Sequence, residues 1–226
     1  MKVAVIDSGV HVGHPHLGRL AGGVEVGEDG GIGLDFVDRL GHGTAVAAAI
    51  LEKAPDAEIF AVRVFRDRLV TTTRALLGAI DWAVDQGIGL INVSLGTVGE
   101  AHRNVMAAAV ERAGRAGALI VSPAEHEGQP WLPGSLPGVI GVILDWQCPR
   151  HELRFVPGEG PPVRFAASGY PRPIPGVSPE LNLKGVSFAT ANVTGFLARA
   201  IGESDREGER VRPPSTPAEL LERLRG

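Results

Sequence analysis

The sequence predicts an α/β protein, with a mostly parallel central sheet covered by helices on both faces. Short apolar, β-branched runs alternate along the chain with longer segments of helical period. Most of their positions are apolar in succession rather than only every second one, as strands buried on both faces require. The 226 residues, 44% apolar and 21% charged, suit a single soluble domain, residues 1–226, with a sizeable core. Strand, helix and strand in repetition imply right-handed crossovers and therefore parallel neighbours.

Taken in order, residues 3–6 (Val-Ala-Val-Ile) form the first strand, and a helix follows over 42–53. A strand at 58–64 leads to a helix over 72–86, where Leu76, Leu77, Ile80, Ala83 and Val84 recur at three and four residues and make one apolar face. Strand 89–93, helix 101–116, strand 118–122 and strand 139–144 complete the regular part. Residues 149–184 are rich in Pro and Gly and read as loops, with one short strand near 163–166. A helix over 187–200 then precedes a polar linker at 201–214, within which charges of both signs crowd together from Ser204 to Arg212. A last helix at 216–225 is announced by Thr216, with Pro217 at the first helical position and Glu219 three residues after the cap.

Charge and cysteine usage exclude several classes of function. A formal net charge of −4 gives no electrostatic footprint for nucleic acid or anionic membranes. No run approaches the roughly 20 apolar residues that a membrane span needs. The single cysteine, Cys148, forbids an internal disulfide, fits a reducing compartment and reads as an inert thiol. Read as a complete chain, with no secretory segment before residues 3–6, the protein is expected in the cytoplasm.

Three short motifs carry candidate chemistry. Asp7-Ser8-Gly9 closes the first strand, and the carboxyl ends of parallel strands form the ligand crevice. His42-Gly43-Thr44 opens a helix, and Ser187, within Gly185-Val186-Ser187-Phe188-Ala189-Thr190, opens another, where backbone N–H groups favour a developing anion. A hydroxyl nucleophile needs a base, and the base needs an orienting carboxylate, so Asp, His and Ser are a sufficient set. Each motif alone is a common turn, helix start or cap. Their order along the chain is what gives them weight.

With these residues the sequence resembles the subtilisin-like (subtilase, S8-type) serine peptidases over nearly its whole length. Val5-Ile6-Asp7-Ser8-Gly9-Val10 is similar to the family's aspartate motif, Gly41-His42-Gly43-Thr44-Ala45-Val46-Ala47 to its histidine motif, and residues 185–195 to its serine motif. Ala54-Pro55-Asp56-Ala57 resembles the segment after the histidine helix. Ile91-Asn92-Val93-Ser94-Leu95-Gly96 resembles the strand ending at the pocket for the residue before the scissile bond. The resemblance implies a three-layer fold and a serine endopeptidase with Asp7, His42 and Ser187 as its catalytic residues. It also implies that Ser94, Leu95, Gly96, Ala124 and Glu125 bind substrate, partly as an added strand. A peptide or protein is the expected partner, and the chemistry requires no cofactor.

Departures from the family pattern are equally informative. Where the family has a Gly-Asn-Glu-Gly-like segment, this chain has Ala124-Glu125-His126-Glu127-Gly128. His126 stands in place of the asparagine that donates to the oxyanion, so the resemblance assigns the oxyanion hole to His126 and the Ser187 backbone. The flanking carboxylates of Glu125 and Glu127 suggest a preference for basic substrate side chains. His14-Pro15-His16-Leu17 replaces a family segment whose aspartate is a calcium ligand, and no metal is expected there. Family members usually carry a pro-domain, yet Asp7 lies only six residues from Met1. That points to limited processing of a particular substrate, such as leader removal from a ribosomally made peptide. A catalytically impaired peptide-binding protein and an acyl-transferring ligase or macrocyclase are the alternatives.

Overall fold

A computed structural model describes residues 1–18, 20–158 and 162–206. Its main sheet has nine strands: β1 (Lys2–Asp7), β2 (Gly22–Val26), β3 (Ile32–Gly33), β4 (Glu58–Arg63), β5 (Leu90–Val93), β6 (Leu119–Pro123), β9 (Val139–Leu144), β10 (Arg154–Val156) and β11 (Val163–Ala167). A separate two-stranded ribbon joins β7 (Glu125–His126) to β8 (Gln129–Pro130). The sheet order is β10-β11-β9-β6-β5-β1-β4-β2-β3, parallel from β11 through β2, with β10 and β3 antiparallel at its two edges. Among the described residues four α-helices accompany it: α1 (His42–Lys53), α2 (Thr73–Asp85), α3 (Arg103–Arg115) and α4 (Val186–Arg206).

The two faces of the sheet bury separate cores, and the alternation of strand side chains decides which residue joins which. On β1, Val3 and Val5 pack with Val46, Ala47 and Ile50 of α1 and Ala189, Val193 and Leu197 of α4. Ala4 and Ile6 face the other way, into Leu76 and Ile80 of α2 and Met106 and Val110 of α3. This is the three-layer arrangement the sequence predicts. Asp7 has the parity of Val3 and Val5, so its side chain belongs to the face covered by α1 and α4.

Most element boundaries agree with expectation within a residue or two. Three sequence readings need correction, the first being that the stretch 149–184 holds two strands, β10 paired antiparallel with β11, rather than one. The expected linker at 201–214 begins too early, because α4 continues through Arg206. Its apolar face is the reason: Ile201, 3% exposed, extends the buried row of Leu197 and Ala198 by another turn. The rest of that linker and the helix at 216–225 lie outside the described residues. Strand β2 was not anticipated, because its Gly22-Gly23 start carries no apolar signal. Packing demands the glycine there, since a Cβ on Gly23 would lie 2.7 Å from both the Ala61 carbonyl oxygen and the Phe36 ring. Among the described residues no helix is long and apolar enough to cross a membrane.

Candidate active site

β1 lies between β5 and β4, so Asp7 sits at the carboxyl end of a central strand, fully buried. One of its oxygens, Oδ1, accepts the backbone N–H of Ser8 at 2.7 Å and meets His42 Nδ1 at 2.7 Å. His42 is the first residue of α1. Gly41, with φ 78°, turns the chain into the helix through the left-handed region that glycine tolerates. Gly43 permits the close approach that brings His42 to Asp7: a Cβ there would lie 2.2 Å from the Gly9 carbonyl oxygen and 3.2 Å from Asp7 Cβ.

Burial is the largest influence on His42 and pulls its pKa down. The hydrogen bond and charge of Asp7, joined by the charge of Asp38, outweigh it and hold the imidazole above its ordinary 6.5. With Nδ1 donating to the carboxylate, Nε2 is left as the basic nitrogen.

Asp38 is a site residue that sequence reading missed. It is 6% exposed, and Oδ1 accepts from Ser8 Oγ and from the backbone N–H groups of Leu40 and Gly41, each at 2.9 Å. Oδ2 accepts from Thr44 N at 2.9 Å and Thr44 Oγ1 at 2.6 Å. Ser8 Oγ in turn accepts the Gly43 N–H at 2.9 Å. One carboxylate therefore ties the Asp7 segment to the start of α1. An acidic residue a few positions ahead of a helix start was the available signal.

Ser187 is the second residue of α4 and partly exposed, with its backbone N–H in the first turn, where no intrahelical acceptor exists. Its Oγ donates to the carbonyl of Ser94 at 3.2 Å and makes no hydrogen bond to His42. The next residue, Phe188, is buried and holds its ring 5.3 Å from the His42 imidazole, so the start of α4 lies beside His42. Rotation about the Ser187 χ1 into another staggered well would redirect the hydroxyl, and such contacts are often loose before substrate binds. Ser94 is itself anchored: Asn92 Nδ2 donates to its Oγ at 2.7 Å, and Thr194 of α4 donates to Asn92 Oδ1 at 2.9 Å.

The remaining predicted residues lie at or just beyond the carboxyl ends of β5 and β6. Ser94, Leu95 and Gly96 follow β5, and Ala124 follows β6, with its N–H donating to Val142 O at 2.8 Å. Glu125 and His126 are exposed on the β7–β8 hairpin, whose turn residues Glu127 and Gly128 have φ of 51° and 75°. Positive φ at both positions gives the turn whose twist matches a tight hairpin. The His126 ring stacks on Trp131, with centroids 4.6 Å apart and planes 11° apart. Trp131 is the second residue that sequence reading missed, since an aromatic in a Gly- and Pro-rich stretch carries no periodic signal.

Two further expectations can be placed. His14 Nδ1 accepts the backbone N–H of His16 at 3.2 Å, and the two rings meet edge to face at 5.1 Å. Among the described residues no three His, Cys, Asp or Glu side chains are grouped as a metal site needs. Cys148 is 3% exposed and burial raises its pKa, which keeps it a thiol.

A buried carboxylate bonded to an imidazole, near a helix-start serine at the carboxyl ends of parallel strands, is an arrangement that can activate a hydroxyl in an α/β protein. Comparison with known proteins gives the family. The subtilase family matches residues 1–134. Thermitase of Thermoactinomyces vulgaris is 30% identical over 93% of this chain and 78% of its own length. The thermostable alkaline protease of Halalkalibacterium halodurans is 30% identical over 87% of this chain, which spans 55% of that relative. A solved structure titled as a lanthipeptide protease shares the fold, with a TM-score of 0.74 and 23% identity over 97% of this chain and 78% of the other. This chain belongs to the subtilase family.

Proposed function

We propose that the protein is a serine endopeptidase that uses Ser187 as nucleophile, His42 as general base and acid, and Asp7 to orient His42. The observation that carries this reading is the 2.7 Å contact between His42 Nδ1 and the buried Asp7 carboxylate, which leaves Nε2 as the base. Ser187 Oγ attacks the peptide carbonyl carbon as its proton passes to Nε2. The carbonyl electrons move onto oxygen, held by the Ser187 N–H and a ring N–H of His126. Stacking on Trp131 engages a face of the His126 ring and leaves both nitrogens at its edge without a partner among the described residues. Collapse of the intermediate breaks the C–N bond, and Nε2 returns the proton to the leaving amine. Water then cleaves the acyl-enzyme by the same route.

Ser94, Leu95 and Gly96 are the proposed strand partner of an extended substrate, with Ala124 and Glu125 on the opposite wall. Limited processing of a peptide or protein in the cytoplasm is the biological setting we favour, with leader removal from a ribosomally made peptide as one such substrate. The lone cysteine supports a reducing compartment.

A fluorophosphonate probe tests the reading, because it labels only an activated serine. We expect labelling of the wild-type protein and none of Ser187→Ala. Equal labelling of the two, or none of either, would overturn the assignment. Mass spectrometry of a cleaved peptide then separates hydrolysis, which leaves a free carboxylate, from transfer to an amine.

A further inference from the structure

The two expected walls of the pocket for the residue before the scissile bond are residues 94–96 and 124–125, and one residue of the protein itself, Trp131, touches both. A Cβ built on Gly96 would lie 2.7 Å from Cε3 and 3.0 Å from Cδ2 of Trp131, so the six-membered ring of the indole rests directly on the Gly96 backbone. Trp131 is fastened to the second wall through its backbone N–H, which donates to the Ala124 carbonyl at 2.9 Å. The residue after it is fastened to the first wall: Thr97 N donates to Leu132 O at 3.0 Å, and Leu132 N to Thr97 O at 2.9 Å.

The hairpin explains why the indole stays there. Glu125 pairs with Pro130 and His126 with Gln129, so Trp131 lies diagonally across from His126 on the same face of the ribbon. Their rings are stacked at 4.6 Å. Swinging the indole out would break that stack and bring apolar surface back into water, while the backbone pairs on both sides hold its Cα in place.

We propose that Trp131 closes the pocket for the residue preceding the scissile bond, so that the enzyme cleaves after Gly, Ala or Ser and rejects large side chains. This rests on the serine-peptidase reading above and names its substrate class. It replaces the basic preference suggested by Glu125 and Glu127, whose carboxylates are on the exposed hairpin, because a lysine or arginine side chain would have to enter the volume the indole fills. Rejection here is steric: a chain several methylenes longer than alanine meets the indole that rests on Gly96.

The test compares labelling of Ser187 by two peptidyl phosphonates identical except for alanine or phenylalanine at that position, with a plain fluorophosphonate as control. Wild type should react faster with the alanine reagent by at least about tenfold, the scale on which pockets discriminate by size. Trp131→Gly should reverse the ratio by at least about tenfold, and Trp131→Ala should shift it the same way. The ratio of two reagents cancels any common loss caused by releasing the His126 ring, and the wild-type ratio decides even where a variant misfolds. Equal rates, a phenylalanine preference, reaction with neither phosphonate while the control still labels, or a ratio unmoved in folded variants would overturn the role of Trp131. Absence of labelling by the control would instead remove the serine-peptidase reading, and this proposal with it.

Discussion

His42 is held in a contest between burial and two carboxylates, and the outcome has a measurable sign. Burial alone would lower its pKa, but Asp7 and Asp38 raise it above 6.5. A general base must be neutral, so kcat/KM should rise with pH through an acid limb centred above 6.5. The stability linkage runs the other way. A histidine whose folded pKa is raised contributes stability fully below its unfolded pKa, and that contribution is lost as pH climbs through the folded value. Asp7→Asn separates the influences, because it removes both the hydrogen-bonded and the charge contribution of Asp7 while burial persists. The acid limb should move to lower pH, and kcat should fall by about 10⁴-fold, the scale of losing the orienting carboxylate of such a triad. A pH–rate profile of the two proteins checks both; an unmoved limb would mean that Asp7 does not set the basicity of His42.

At the level of the element, the start of α1 depends on Asp38 rather than on any side chain at the cap position itself, since Gly41 has none to offer. Five donors converge on this one buried carboxylate. Asp38→Ala leaves them without an acceptor and should lower unfolding free energy by about 3 kcal/mol, whereas Asp38→Asn keeps one oxygen and should cost less. Urea unfolding measures both, and an alanine variant as stable as wild type would show that solvent replaces the network. The regular elements were legible because their signals are local. The bounds of α1 follow from Gly41 before it and Ala54-Pro55 after it, and the apolar runs of β1, β5 and β9 can only be strands buried on both faces. What escaped depends on distant partners. Gly22-Gly23 becomes strand only because Ala61 and Phe36 need the room. The β7–β8 hairpin is written in Glu127-Gly128, whose non-glycine member gives no turn signal. The Asp7–His42 pair was legible through its motifs, whereas Trp131 gains meaning only once Gly96 lies beneath it.

Across the whole molecule, His42 and Ser187, the proposed base and nucleophile, sit at the N-termini of two helices that pack on one face of the sheet, so the α1–α4 contact sets their relation. The helices approach closely at Gly195, where a Cβ would lie 3.0 Å from the Ile50 carbonyl oxygen and 3.0 Å from Lys53 Cβ. That closeness buries Lys53, which is 9% exposed. Its ammonium has Glu52 at 3.3 Å and the Phe196 ring centroid at 5.4 Å. Burial, reinforced by the charge of Arg150, overrides Glu52 and lowers the Lys53 pKa from 10.5 to about 8. The folded state therefore disfavours the charged form by about 3 kcal/mol at neutral pH. Below pH 8 this penalty is present in full, and it is relieved as pH rises from 8 towards 10.5, where the unfolded lysine still holds its proton and the folded one does not. Lys53→Met keeps the apolar stem and removes the titration, while Glu52 retains Arg150 as a partner. The variant should be more stable than wild type by about 1–3 kcal/mol near pH 7, the lower figure allowing for the lost Glu52 and Phe196 contacts. Its advantage should shrink as pH rises to about 9.5. Urea unfolding of both proteins at the two pH values supplies the comparison, and a stability difference independent of pH would show that Lys53 titrates in the fold as it does in water.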